Sequence, residues 1–184
     1  MKNKLLLTGD PQVGKTTIIK KTLSFINHHS IKIGGFYTSE IREKGNRIGF
    51  SIKTILSGKN DILAHIDFNS TFRVGKYGVN KDAFEKIMLE ELEYCINNKV
   101  DLIIIDEIGK MEIISDLFCK KIFEILNAPI PILGVVKKAK EKFLNKIYNL
   151  KNLNIIEVNI NNREKVYKDV IEWLKIINKS LKKN

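Results

Sequence analysis

Two apolar periods alternate along this chain. Lys4 to Thr8 is a short run with three leucines, ended by a glycine, and predicts a buried strand. From Thr16 to Ile26 the apolar side chains Ile18, Ile19, Leu23 and Ile26 recur at helical spacing. Gly34 to Ile41 is aromatic and β-branched after a glycine pair, and Ile48 to Ile55 alternates. With the polar, glycine-containing segment Arg42 to Arg47 between them, the two runs predict an antiparallel hairpin. Leu56 to Asn80 reads as polar and irregular. Asp82 to Ile96 gathers Phe84, Ile87, Met88, Leu92 and Cys95 on one helical face. Leu102 to Ile105 is continuously apolar, as a strand buried on both faces should be. There follow a predicted helix from Ile113 to Leu126 and a buried strand from Ile130 to Val136, with Pro131 near its start. A helix from Lys140 to Leu150 and a strand from Asn154 to Val158 come next. Last is an amphipathic helix from Arg163 to Leu181, with Val166, Val170, Trp173, Leu174 and Ile177 on its apolar side.

Strands alternating with helices imply parallel βαβ units, hence an α/β fold with a sheet covered on both faces. The 184 residues suit one domain, with no repeat or linker inside it. The segment from Lys179 to Asn184 is expected to fray.

Chemistry enters between the first strand and the first helix. Gly9, Asp10, Pro11, Gln12, Val13, Gly14, Lys15 and Thr16 match the pattern G-x-x-x-x-G-K-[ST], in the strand-loop-helix context that a phosphate-binding loop requires. The two glycines let successive N–H groups turn inward on a triphosphate, and the helix aims its positive end at the same place. Lys15 is expected to reach the β- and γ-phosphates, Thr16 to ligate Mg²⁺, and Thr17 to touch the α-phosphate. Gln12 is the irregular member, because a left-handed backbone there costs glutamine more than glycine.

The apolar strand at Leu102 ends in Asp106 and Glu107. Ligands of open α/β sheets bind at the C-terminal edge of the strands, so this pair is expected beside the phosphate loop. Asp106 would hold the Mg²⁺ and Glu107 would act as the general base on the attacking water. Asp106 to Gly109 also fits the D-x-x-G of GTP-dependent switches, and Asn98 to Asp101 fits their N-K-x-D base reader. That reader should follow the D-x-x-G strand, whereas here it precedes it, so Asn98 to Asp101 is taken as a coincidence.

Composition adds limits. No apolar run approaches the roughly 20 residues of a membrane span. The start resembles a signal peptide, but its apolar part is too short and runs into Thr8 and Gly9, so a cytoplasmic protein is expected. Cys95 and Cys119 form no metal or redox motif, and His28, His29 and His65 are too scattered for a metal site. The net charge of +11 admits a polyanionic partner such as nucleic acid but does not indicate one, since the lysines are spread along the chain. Only four of the 32 basic residues are arginine: Arg42, Arg47, Arg73 and Arg163.

Together these segments resemble the small nucleoside-triphosphatases known from thermophiles and, in vertebrates, as the cancer-related nucleoside-triphosphatase. The likeness runs through Leu7 to Gly9 with Val13 to Thr17, Gly35 to Thr38 with Glu40 to Arg42, and Arg47 to Phe50. It continues through Arg73 to Val79 and Ile105 to Glu112, with Asn162 and Arg163 as a fainter match. The resemblance implies a P-loop NTPase three-layer fold, RecA-like or nucleotide-kinase-like, with a mostly parallel sheet and an antiparallel hairpin addition. It implies Mg²⁺-dependent hydrolysis of ATP, GTP, CTP and UTP to the diphosphate and phosphate. It implies nucleotide contact along the phosphate loop and along Ile103, Ile104, Ile105, Asp106, Glu107, Ile108, Gly109 and Lys110. The family usually has glycine where this chain has Gln12. A monomer is expected.

Phosphoryl transfer gains from a cation on the γ-phosphate oxygens. Lys110 or Arg73 could supply it, Arg73 from a lid in the irregular stretch. Arg163 could contact a base or ribose, and Arg42 and Arg47 flank a hairpin turn where solvation is their ordinary role. Phe36 and Tyr37 could stack on a base or fill the core. A kinase passing the γ-phosphate to a nucleotide or polynucleotide is the alternative function. It would need an acceptor site and an arginine-rich lid, and four scattered arginines do not make one. A non-enzymatic switch is disfavoured by Glu107.

Overall fold

The computed structural model describes residues 3–26, 31–138 and 140–181, so His28, His29 and the last three residues of the C-terminal tail lie outside the described residues. One sheet of nine strands runs through it: β1 (Lys4–Thr8), β2 (Ile33–Glu43), β3 (Asn46–Thr54), β4 (Asn60–His65), β5 (Arg73–Val74), β6 (Tyr77–Val79), β7 (Leu102–Ile108), β8 (Ile132–Val136) and β9 (Asn154–Glu157). The helices are α1 (Lys15–Ile26), α2 (Lys81–Asn97), α3 (Asp116–Asn127), α4 (Lys142–Tyr148) and α5 (Arg163–Leu181). The strand order is β5-β6-β4-β3-β2-β7-β8-β1-β9. From β2 to β9 all neighbours are parallel, and from β2 to β5 all are antiparallel.

Alternation along each parallel strand divides the core into two layers. Leu5, Leu7, Leu102 and Ile104 face α1 and α5, packing on Ile18, Ile19, Val166, Val170 and Leu174. Leu6, Ile103 and Ile105 face α2, α3 and α4, packing with Phe84, Met88, Phe118, Ile122, Leu144 and Ile147. This is the expected three-layer α/β arrangement. The strand bearing Asp106 is not the neighbour of β1, since β8 lies between them.

The antiparallel part is larger than a hairpin. The β2–β3 turn narrows to Lys44 and Gly45, both with positive φ, as a tight two-residue hairpin turn needs. The stretch read as irregular carries β4, β5 and β6, which extend the sheet beyond β3. These strands are short, and Leu63, Ala64, Tyr77 and Val79 are their buried apolar anchors. The helix expected from Ile113 is split as well. A single 3₁₀ turn at Glu112–Ile114 stops at Ser115, whose Oγ accepts the Phe118 N–H at 2.9 Å and caps α3.

One buried carboxylate joins the two halves of the sheet. Glu91 of α2 accepts N–H bonds from Gly35 (3.1 Å), Leu56 (2.8 Å) and Ser57 (3.0 Å), and the Ser57 hydroxyl at 2.8 Å. It can be buried because four donors replace water. Phe36 lies in the core, edge-on to Phe84 and Phe118, while Tyr37 lines a shallow cleft of about 540 Å³ on the opposite face with Ser39, Ser51 and Lys53. The core role expected of such aromatics holds for Phe36. Burial pushes the Cys95 thiol up to about 12 and the Cys119 thiol up to about 11, so neither is a ready nucleophile.

Candidate active site

The C-terminal ends of β1, β7 and β8 converge at one edge. β1 runs into the loop from Gly9 to Gly14, and α1 begins at Lys15. Gly9 has φ 137°, and a Cβ there would sit 2.2 Å from the Val158 carbonyl oxygen, so no other residue fits. Gly14 has φ 108° and Gln12 φ 65°. The glutamine therefore does adopt the left-handed conformation, and the loop turns where the sequence reading placed its difficulty. Lys15 folds back over the loop, its Nζ donating to the carbonyls of Gly9 (3.0 Å) and Asp10 (2.6 Å). Burial holds its pKa below the ordinary value. Thr16 and Thr17 are exposed on the first turn of α1.

β7 carries Asp106 to the same edge. The residue is 2% exposed, and both carboxylate oxygens are buried without a hydrogen-bond partner. The Thr16 hydroxyl, Lys20 and the Thr38 N–H lie near enough to favour its charged form. Burial, and after it the charge of Glu107, outweigh them and push Asp106 up to about 6. A pair of orphaned carboxylate oxygens facing a threonine hydroxyl is a donor set for a hard cation. Mg²⁺ suits it, since that ion takes one or two protein oxygens and completes its shell with water and phosphate. Among the described residues no group of three or more His, Cys, Asp or Glu side chains could hold a metal.

The raised pKa has a measurable consequence. The unfolded carboxyl titrates near 3.8, so between about pH 4 and pH 6 the native state binds the extra proton. The group's contribution to stability therefore falls as pH rises through that window. Above it the cost is roughly 2–3 kcal/mol. Asp106→Asn is expected to raise the melting temperature of the nucleotide-free protein at pH 7.5 by about 5 °C or more. It should also abolish the further rise that Mg²⁺ and ATP give the parent. Thermal melts across pH check both, and an unchanged or lower melting temperature would mean the charge is already compensated.

Glu107 follows on the half-exposed side of the strand, its Oε1 3.9 Å from Lys137 Nζ. The turn after it is pinned from below. Glu112, buried, accepts the Gly109 N–H at 3.0 Å, and burial together with the Glu107 charge pushes it up to about 8. Lys110 reaches the Glu141 carboxylate at 2.7 Å, which ties the turn to the start of α4. Ile103, Ile104, Ile105 and Ile108 are fully buried and serve as the strand's anchors in the sheet. Of these and the motif residues, Asp106, Glu107, Gly109 and Lys110 stand at the edge with the loop.

Arg163 is also brought in. β9 pairs with β1, and Asn159 and Asn162 close the turn into α5, where Arg163 Cδ lies 3.5 Å from where a Cβ on Gly14 would be. Arg73 is not. It sits on the edge strand β5, its guanidinium donating to the carbonyls of Phe68 and Lys76, and six strands separate β5 from β1. At about 4.8 Å per strand that exceeds any side chain's reach, so the lid reading of Arg73 is corrected. Arg42 and Arg47 both pair with Glu40, and Arg47 also stacks on Phe50 and Tyr77. Asn98 to Asp101 lie at the opposite end of β7, where Asp101 accepts the Lys32 N–H at 2.7 Å, a structural role.

Two lysines at the end of β8 escaped the sequence reading. Lys138 pairs with Glu157 of β9 at 3.0 Å, and Lys137 faces Glu107. The signal was present in principle, since both follow a buried apolar run as Asp106 does.

Comparison with known proteins follows the same outline. A family model described as NTPase matches residues 4–171. The chain is 44% identical over 172 residues to the nucleoside-triphosphatase THEP1 of Thermotoga sp. strain RQ2, covering 94% of this chain and 95% of that one. It is 34% identical over 183 residues to the cancer-related nucleoside-triphosphatase homolog of Mus musculus, covering 93% and 96%. Among solved structures, THEP1 from the hyperthermophile Aquifex aeolicus superposes with a TM-score of 0.80 at 33% identity, over 91% of this chain and 96% of that one.

Proposed function

The chain belongs to the NTPase family, whose model spans most of it, and on that premise we propose that it hydrolyses nucleoside triphosphates to the diphosphate and phosphate. The observation that carries this reading is the meeting of Lys15 and its loop with Asp106 and Glu107 at one sheet edge. The relatives are named as triphosphatases, and the kinase alternative has no support.

The residues divide the work. The loop from Gly9 to Gly14 and the start of α1 cradle the phosphates with N–H groups, and Lys15 leaves its loop carbonyls to bond the β- and γ-oxygens. Thr16 and Asp106 would hold Mg²⁺, which when bound neutralises charge on the β- and γ-phosphates. Glu107 orients the attacking water and accepts its proton. Arg163 lies over Gly14 and contacts the nucleoside side of the substrate. The named groups act on the triphosphate and its metal, which ATP, GTP, CTP and UTP share, so all four are read as substrates. The free cysteines and the need for Mg²⁺ with nucleotides suit the cytoplasm. Among the described residues no helix is long and apolar enough to cross a membrane. The chain supplies every named group itself, so we read it as one domain acting as a monomer.

The test is a phosphate-release assay with γ-labelled ATP and Mg²⁺, with and without added nucleosides, nucleotides or oligonucleotides. Free phosphate should appear at the same rate in every case. Label on an added acceptor would overturn the hydrolase reading.

A further inference from the structure

The γ-phosphate of a triphosphate in this loop needs a cation on its outer oxygens, for which the sequence suggests Arg73 or Lys110. Arg73 stands at the far sheet edge, and Lys110 stands at the near edge in the turn after β7, paired with Glu141. Lys137 is placed differently. β8 is the strand between the phosphate loop and the acidic pair. In its register Val135 faces Leu7 and Val136 faces Ile108, so Lys137 lies level with Gly9 on one side and Gly109 on the other. Its own N–H donates to the Ile108 carbonyl at 3.0 Å, which fixes its backbone at the edge.

The side chain is committed to little. Its Nζ stands 3.9 Å from Glu107 Oε1, and the two side chains are 42% and 36% exposed. An ion pair so long and so wet contributes almost nothing to stability, and the ammonium can leave it at little cost. Lys15 lies within electrostatic range of both Lys137 and Glu107 at this edge. The two ammonium groups repel each other, and an anion entering between them relieves that repulsion.

We propose that Lys137 is a catalytic residue whose ammonium binds the γ-phosphoryl oxygens as the transition state forms. The proposal rests on the triphosphatase reading given above. In the step, the water oxygen bonds to the γ-phosphorus as a water proton passes to Glu107. The bond from that phosphorus to the β–γ bridging oxygen breaks, its electron pair leaving on the diphosphate. Charge on the γ-oxygens shifts during this exchange, and Lys137 meets it from the side opposite Lys15. Leaving Glu107 for the phosphate also frees that carboxylate to take the proton.

Lys137→Met and Lys137→Arg test this, the position being too exposed for either to unfold the protein. Three quantities are read: the single-turnover hydrolysis rate, the affinity for fluorescent ADP, and the affinity for ADP with aluminium fluoride as a transition-state mimic. Lys137→Met should slow hydrolysis by about 10²- to 10³-fold, lose a similar factor toward the mimic, and keep ADP affinity within about threefold. Lys137→Arg should regain at least a tenth of the rate. Hydrolysis by Lys137→Met within about threefold of the parent would overturn the proposal, as would a loss of ADP affinity as large as the loss of rate. A parent that releases no phosphate would instead overturn the triphosphatase reading.

Discussion

Glu107→Gln is expected to lower kcat by about 10³-fold and to leave triphosphate affinity within about threefold of the parent. The two side chains have the same shape, and residue 107 is partly exposed with only a 3.9 Å approach from Lys137, so the fold loses little. What is lost is a carboxylate able to accept a proton one residue after the buried Asp106. A general base acts only as the water attacks, so its removal should appear in kcat and kcat/KM alike and spare ground-state binding. Phosphate release and fluorescent-nucleotide titration separate the two quantities. A variant that turned over like the parent would remove Glu107 from the mechanism, and one that bound tenfold more weakly would make it a binding residue.

Lys15→Ala should weaken triphosphate binding by about 100-fold and take hydrolysis with it. A charge-assisted bond to phosphate is worth roughly 1.5–3 kcal/mol, and the alanine variant loses it in ground and transition states together. Lys15 also holds the carbonyls of Gly9 and Asp10 at 3.0 and 2.6 Å, so truncation removes two bonds that brace the loop. Lys15→Arg keeps the charge but not the compact ammonium that fits between those carbonyls, so it should recover only part of the affinity. Calorimetric titration with a non-hydrolysable triphosphate measures both variants. Unchanged affinity in Lys15→Ala would move the phosphate site elsewhere.

These groups were legible in the chain for different physical reasons. The loop could be found because its glycines and lysine occupy fixed steps along a backbone that must turn. β7 could be found because a parallel strand buried on both faces tolerates nothing polar before its end, which makes Asp106 and Glu107 stand out. The helix starting at Arg163 announced itself through Val166, Val170, Trp173 and Leu174 at helical spacing, all buried as expected. β4 to β6 were missed because strands of six, two and three residues are too short to show a period. No local pattern marks Glu91, and only the folded chain brings four donors to it. Lys137 was hidden by the abundance of lysine. Its importance depends on strand order, which no local pattern states. Arg73 failed in the opposite sense: its rarity drew attention, and the sheet places it at the wrong edge.

The position of β8 has a consequence for how this catalyst tolerates change. Two inter-strand spacings, about 10 Å, separate β1 from β7. That gap is set by backbone hydrogen bonds, which no side-chain replacement alters. The sheet thus works as a ruler holding the jaws of the site at constant width while the surface drifts. The weak point of such a ruler is its phase. Deleting one residue from the turn before β8 would slip the strand by one position, exchange its two apolar faces and withdraw the lysine at its tip. Indels in that connection should therefore be far more damaging than substitutions anywhere on its surface.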